Sequence, residues 1–171
     1  TSDVKTHCRS CTIEDVKIDP EKSFEVLTDC ENFKKINLKS IEMDRMPKNF
    51  FWNLKNVQFF DIFNATISDL YPEDFKDAQE LISFKFSHTK ITKLGSKLFE
   101  SVPKLLIFES HSNPLEEIDE TACECKSLTN FFIKNSLKLA MNFLTKSFLQ
   151  KFPKLNIFVL MNVSLPSLAD D

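Results

Sequence analysis

Glycine is almost absent from this chain, which has Gly95 as its one glycine in 171 residues. Loops that wrap their backbone around a phosphate need several closely spaced glycines, so nucleotide-binding loops of that kind are excluded. No apolar run approaches the ~18 residues that cross a bilayer. A net charge of -3 offers no broad basic surface. We therefore expect no nucleic-acid partner and no membrane-spanning segment.

Catalytic and metal-binding motifs are also missing. His7, Cys8 and Cys11 supply only three zinc ligands, and no serine, cysteine or lysine stands in a recognisable nucleophile motif. The acidic stretch at residues 116–124 has neither the ligand spacing nor the glycine of a calcium loop. We expect a protein without enzymatic activity, cofactor or metal.

Large apolar residues, by contrast, recur with a long and regular period. They open six units, at intervals of 24, 24, 24, 23 and 27 residues: Phe33, Val57, Leu81, Leu105, Leu128 and Leu155. Positions within a unit are called slots here and are counted from its opening residue. Slots 4, 6, 11, 14 and 19 are again large and apolar in most units. Self-similarity at a fixed period predicts a repeat solenoid.

The start of each unit alternates with period two, which predicts a short strand with slots 4 and 6 turned inward. One unit cannot enclose its own apolar face, so the units must stack with their strands in one parallel sheet. We predict strands that begin near residues 34, 58, 82, 106, 129 and 156. In this arrangement Phe60, Phe84 and Phe108 are buried.

This layout resembles the leucine-rich repeat, LxxLxLxxNxLxxL with a later Phe, over residues 33–168. The family's asparagine at slot 9, which hydrogen-bonds backbone at the bend, is mostly replaced, because the slot holds Ile41, Ala65, Thr89, Asn113, Ser136 and Val163. Ser110 is a second departure, since it occupies the inward slot 6. The resemblance implies an α/β-type repeat solenoid of about six 24-residue units with a concave parallel sheet.

The first three of the five cysteines precede the repeats. We predict a cap at residues 1–32 and the solenoid at residues 33–171, within a single domain. Segments 12–18 and 23–27 have the composition of strands and flank a turn that contains Pro20, which predicts a β-hairpin in the cap.

In the register that pairs Ile18 with Ser23, Cys11 falls opposite Cys30, so we predict a disulfide between them, with Cys8 as the next candidate. An odd cysteine count leaves at least one thiol free or joined to another chain. Cys123 and Cys125 are the candidates for such a link, and the last turn is a second route to association. A covalent or end-to-end dimer is thus one expectation.

Two sequons, at Asn64 and Asn162, both fall at slot 8, just past a strand and outside the core. We expect both asparagines to be exposed and available for N-glycosylation. Disulfides and sequons favour an extracellular, secreted protein whose leader has been removed.

The Cys-Thr-Ile opening at residues 11–13, the Cys-bearing cap, Phe at slot 19 and sparse asparagine together resemble secreted leucine-rich-repeat proteins of insects. The chain is most similar to the mosquito leucine-rich-repeat immune proteins, which circulate as disulfide-linked pairs and hold complement-like thioester proteins. The resemblance implies a protein-binding role in insect innate immunity, with another leucine-rich-repeat chain or a complement-like protein as partner. An assembly subunit of a secreted complex, a Toll-like receptor ectodomain fragment and a cytosolic repeat adaptor stay open as alternatives.

Slots 3, 5 and 7 point away from the core and form columns across a sheet about 24 Å wide. Clusters of apolar residues there indicate a binding surface. The residues predicted to contact a partner are Phe59, Asp61, Phe63, Lys85, Ile107, Glu109, His111, Phe132, Lys134, Val159 and Met161.

Overall fold

A computed structural model describes residues 3–7, 10–20, 33–52 and 54–164. Its strands are β1 (Asp3–His7), β2 (Ser10–Glu14), β3 (Lys35–Lys39), β4 (Phe59–Phe63), β5 (Ser83–Ser87), β6 (Lys93–Leu94), β7 (Ile107–His111), β8 (Glu117–Ile118), β9 (Asn130–Ser136) and β10 (Ile157–Val163). The segments that return from one strand to the next carry the short helix α1 (Lys146–Gln150) and 3-10 helices at Pro72–Phe75 and Met141–Phe143. No helix in these ranges is both long and apolar enough to cross a membrane.

Eight strands form one sheet in the order β1-β2-β3-β4-β5-β7-β9-β10, and β6 pairs with β8 on the return side. All neighbours from β2 to β10 are parallel, whereas β1 is antiparallel to β2. The strands β3, β4, β5, β7, β9 and β10 each begin one residue after the predicted start. The predicted parallel-strand solenoid with units of about 24 residues is therefore confirmed.

Phenylalanine builds the core that joins successive turns. Phe60, Phe84 and Phe108 at slot 4 are all 0% exposed, as predicted. Their ring centroids follow one another along the solenoid, at 5.6 Å from Phe60 to Phe84 and 6.3 Å from Phe84 to Phe108, and the row continues through Phe131 to Phe158. Because each ring contacts only adjacent turns, the stability of the core is a sum of neighbour contacts.

The residue at slot 8 adopts a left-handed conformation in each described turn, directly after the strand in the first five turns and inside β9 and β10 in the last two. Seven consecutive turns share φ between 52 and 55° at this point: Asp15, Ser40, Asn64, His88, Ser112, Asn135 and Asn162. Asn, Asp and His tolerate this region better than other side chains, and five of the seven are of these types. The N–H of Ser40 donates to the Phe63 carbonyl at 2.9 Å, and the N–H of Asn64 donates to the Ser87 carbonyl at 3.0 Å. The chain thus makes a turn that favours glycine without using any.

At the N-terminal end, the first half of the predicted hairpin joins the large sheet. β2 lies between β1 and β3, and it pairs with β3 in the same parallel register as the later turns, with Cys11 beside Ile36. Both edges of β2 are therefore occupied, whereas segment 23–27, the other half of the predicted hairpin, lies outside the described residues. Residues 10–20 form an additional turn, which continues to a bridge between Lys17 and Glu42.

The predicted disulfide cannot be assigned from this geometry. Cys11 is fully buried, and Cys30 and Cys8 lie outside the described residues. The bond between Cys11 and Cys30 stays a prediction, as does the boundary between the cap and the solenoid after residue 32.

Two departures from the family pattern, Ser110 at slot 6 of the fourth unit and Thr89 at slot 9 of the third, join one buried network around Asn113. The Asn113 Nδ2 amide donates to the Ser110 hydroxyl at 2.9 Å and to the Phe86 carbonyl at 3.1 Å. Its Oδ1 accepts from the Thr89 N–H and hydroxyl, both at 2.9 Å. The polar residue at the inward slot 6 is therefore satisfied by the one slot-9 asparagine. The hydroxyl of the buried Ser136, one turn later, has no hydrogen-bond partner.

Candidate protein-binding face

The predicted partner-binding residues all lie on the face of the large sheet that points away from the core, called the open face here. Strand register lines them up in three columns: Phe59 with Ile107, Asp61 with Lys85, Glu109, Phe132 and Val159, and Phe63 with His111, Lys134 and Met161. The sequence-predicted set is thus brought together on one surface.

Two apolar patches lie on the open face. The first, on β4, consists of Phe59 and Phe63, which are 39% and 47% exposed. The second lies on β9 and β10, where Ile157 and Met161 are also 39% and 47% exposed. Phe132 and Val159 complete it. Large side chains exposed side by side on a regular face are a usual mark of protein interfaces.

Charged side chains on the open face are paired with one another. The Lys35 Nζ lies 2.6 Å from an Asp61 carboxylate oxygen. Glu109 accepts from two cations, with Lys85 Nζ at 3.4 Å and Lys134 Nζ at 3.2 Å. The Lys134 ammonium also lies 5.0 Å from the centre of the Phe132 ring. This pairing leaves the middle of the open face without a strong field of either sign.

Glu109 is the electrostatic centre of that row. Burial alone would raise its pKa, but the hydrogen bond from Lys134 and the charges of Lys85 and Lys134 outweigh burial, so its pKa lies below the usual range. The carboxylate therefore stays ionised at neutral pH and holds the two lysines in place.

A ring cluster extends the first patch onto the rim of the sheet. The Phe63 and His88 rings meet edge to face at 5.3 Å, and the His88 and His111 rings are 6.0 Å apart. The Asn135 amide nitrogen lies 2.8 Å from His111 Nε2. His88 was not among the predicted site residues because it occupies slot 8, outside the strand columns. Phe63, an aromatic residue at slot 7 of the preceding turn, was the sequence feature that could have indicated this contact.

Both sequon asparagines are exposed on this rim, at left-handed slot 8. The Asn64 amide donates to the Ser40 hydroxyl at 3.2 Å, and the Asn162 amide donates to Asn135 Oδ1 at 2.8 Å. A cleft of about 440 Å³ lies in front of Asn64. The predicted exposure is therefore present, and glycan attachment stays a prediction.

Cys123 and Cys125 are buried, at 1% and 3% exposure. Burial raises the pKa of the Cys123 thiol well above its usual range, and burial with the nearby Glu124 charge raises the pKa of the Cys125 thiol to about 12. A buried thiol with a raised pKa is a poor nucleophile. The structure therefore argues against these cysteines as a covalent link to another chain.

A second cleft of about 490 Å³ lies on the return side between residues 45–49 and 71–76. Its Asp74 carboxylate accepts the Tyr71 N–H at 2.8 Å. Burial raises the pKa of Asp74 to about 6. Arg45, Lys48, Glu73 and Lys76 also line the cleft. The described residues contain no cluster of three potential metal ligands.

No family model matches this sequence. No curated protein matches it either. Solved structures do share its fold. TLR13 in a complex with ssRNA13 has a TM-score of 0.63 at 14% identity, over 81% of this chain and 23% of that chain. Drosophila Toll in a complex with Spatzle has a TM-score of 0.62 at 15% identity, over 90% and 23%.

The internalin InlF of Listeria monocytogenes has a TM-score of 0.57 at 12% identity, over 83% of this chain and 45% of that chain. The chain therefore spans about a quarter of the length of the first two and about half of the third. These likenesses show that the fold is a leucine-rich-repeat solenoid.

Proposed function

We propose that this chain is an extracellular, protein-binding leucine-rich-repeat module of insect innate immune recognition, with its open face as the contact surface. The partner we propose is a complement-like thioester protein, held alone or together with another leucine-rich-repeat chain. The observation that carries the proposal is the pair of exposed apolar patches on one regular face, separated by charges that are already paired. Aromatic anchors in such a setting supply most of the binding energy at protein interfaces.

The charge pattern favours a protein over a nucleic acid. Four lysines on the open face, Lys35, Lys39, Lys85 and Lys134, all contact carboxylates of neighbouring strands. TLR13 was solved with single-stranded RNA, but a phosphate backbone needs unpaired cations to displace its counterions. Toll was solved in a complex with Spatzle, and a protein partner suits the apolar patches of the open face.

The extracellular location is supported by the two exposed sequon asparagines and by the number of cysteines. Secretion from insect cells followed by enzymatic removal of N-glycans tests it. We expect a mass loss in the wild-type chain that is absent from the Asn64→Gln/Asn162→Gln double variant. An unglycosylated chain with five free thiols would instead favour a cytosolic adaptor.

Binding is tested by biolayer interferometry against a purified complement-like thioester protein. We expect Phe63→Ala and Phe132→Ala each to weaken binding by at least about 2 kcal/mol, which is roughly a 30-fold loss of affinity. Tyr71→Ala is the matched control, because Tyr71 is as exposed as Phe63, at 47%, but lies on a return segment. If the three variants bound the thioester protein with the same affinity, or if only Tyr71→Ala lost affinity, the open face would be rejected as the contact surface.

A further inference from the structure

β10 forms the outer strand of the large sheet at the C-terminal end of the described residues. The N–H at slot 3 points to the preceding turn, as Ile157 N–H donates to the Thr129 carbonyl at 3.0 Å. Successive residues of a strand alternate in direction, so the N–H and C=O groups of Phe158 and Leu160 point to the outer edge. The same groups in the inner strands pair with the next turn.

The composition of β10 lacks the usual protection of an edge. Its sequence, IFVLMNV, contains no charge, proline or glycine. Each of the other described strands of this sheet contains at least one charged residue. Natural edge strands use charge or proline to prevent pairing with other chains. β10 therefore has the composition of a strand that is paired along both of its edges.

Core side chains at this end are also incompletely covered. Phe131 and Ile133, at slots 4 and 6 of β9, are 0% exposed, whereas Phe158 and Leu160 at the equivalent slots of β10 are only partly buried. The Phe158 ring stacks on Phe131 at 5.3 Å, which covers one side of it. A strand added beyond β10 would cover the other side.

We propose that a second copy of this chain occupies the edge, with the two β10 strands antiparallel about a twofold axis at Val159. In this register Phe158 faces Leu160 of the copy on the core side, and Ile157 faces Met161 on the open face. The outward N–H and C=O groups of Phe158 and Leu160 then form hydrogen-bonded pairs. A contact of this kind is self-complementary and closes at two subunits.

The sequence of β10 favours its own copy over the alternatives. A charge at the centre of the strand, such as Lys85 in β5, would face its equivalent across the twofold axis and repel it. β10 has an apolar residue at every paired position. Moving the axis to Leu160 would oppose Phe158 to Asn162, whose φ of 52° leaves the extended region.

Analytical ultracentrifugation over a concentration series tests the proposal with the 171-residue chain. We expect a monomer–dimer equilibrium whose dissociation constant rises at least about tenfold in Val159→Lys and in Val159→Glu, because each variant places like charges on the axis. An equimolar mixture of the two variants should restore the dimer, since opposite charges then meet. Ile107→Lys is the matched control, with the same kind of change on β7, whose edges are both occupied; it should dimerise like the wild type.

Restoration by mixing separates lost pairing from misfolding, because an unfolded variant cannot be rescued by its opposite. A wild-type chain that stays monomeric at its highest soluble concentration would overturn the proposal. Slow amide exchange of Phe158 and Leu160 in a dilute monomer would also overturn it, since residues of the same chain would then cover the edge. Neither result bears on the first apolar patch of the proposed partner site, which is read from Phe63 on the distant β4, whereas the second patch shares Val159 with this edge.

Discussion

Cys11 and Ile13 in β2 are 0% and 2% exposed, whereas Phe158 and Leu160, which hold the same slots in β10, are only partly buried. The difference follows from what lies outside each strand. β1 runs antiparallel along the outer edge of β2 and interrupts the parallel repeat. Nothing among the described residues does the same for β10. A repeat presents the same apolar edge at every turn, so an end is closed only by an element that departs from the repeat.

The largest expected effect compares the middle of the core with its C-terminal end. Phe84 is fully buried among the rings of Phe60, Phe75, Phe99 and others, at centroid distances of 5.1 to 5.8 Å for these three. We expect Phe84→Ala to lower the free energy of unfolding by about 4 kcal/mol, and Phe158→Ala by about 1 to 2 kcal/mol. Urea unfolding below the dimerisation range measures both. Equal losses would mean that the C-terminal end is as closed as the middle.

The two ends themselves are compared by truncating equivalent slot-6 residues. We expect Ile13→Ala to cost about 3 kcal/mol, because Ile13 is buried beneath a covered edge. Leu160→Ala should cost about 1 kcal/mol, because its side chain already contacts solvent. The urea midpoints of the two variants, evaluated with one common dependence of the free energy of unfolding on urea, give the difference between the two costs. A larger cost for Leu160→Ala would contradict the unequal closure of the two ends.

A third comparison uses the two buried polar residues of slot 9 in the turns before the C-terminal end. Asn113→Ala removes hydrogen bonds from Thr89, Ser110 and the Phe86 carbonyl, and we expect a loss of about 2 to 3 kcal/mol. Ser136→Ala removes a hydroxyl that has no partner, so stability should be unchanged or raised by up to about 1 kcal/mol. Thermal and urea unfolding report both, and a destabilising Ser136→Ala would mean that the hydroxyl is bonded in solution.

The smallest expected effect lies far from both ends, at Asp74. Its pKa is raised by burial from 3.8 to about 6, so the stability linked to the protonated form is full below about pH 4 and is lost as pH rises through 6. Asn cannot ionise and can still accept the Tyr71 N–H. We expect Asp74→Asn to match the wild type near pH 4 and to exceed it by about 1 kcal/mol at pH 8, a value reduced for solvent screening of a partly exposed carboxylate.

Unfolding curves from pH 4 to 8 measure this pH-dependent difference in the free energy of unfolding. Glu73→Gln is the matched control, because it changes the adjacent exposed carboxylate. The same increment should appear in the Phe158→Ala background, because distant sites contribute additively. A different increment would show that loss of the Phe158 ring in the turn of β10 also affects the turn that contains Asp74.

Most of the strand positions could be predicted from the sequence, because slots 4 and 6 repeat with little variation. The turn at residues 10–20 was missed although Cys11, Ile13 and Ile18 stand at slots 4, 6 and 11 of a unit like the others. Cysteines nearby favoured a hairpin with segment 23–27 instead. The columns of the open face were also predictable, since slot number alone places a residue on them.

Pairings within those columns were not predictable to the same degree. Lys85 and Lys134 both contact Glu109, but a sequence does not show which of several nearby carboxylates a long flexible side chain will choose. The ring contact of His88 with Phe63 likewise depends on the left-handed turn at slot 8.

The sequence by itself determined the period, the inward slots and the parallel direction of the strands, because a unit of about 24 residues can bury its apolar face only against another like it. Tertiary structure alone decided how Asn113 satisfies Ser110 and Thr89, which charges pair on the open face, and how far each end is closed. Each of these depends on contacts between different turns, and such contacts exist only once the turns have stacked.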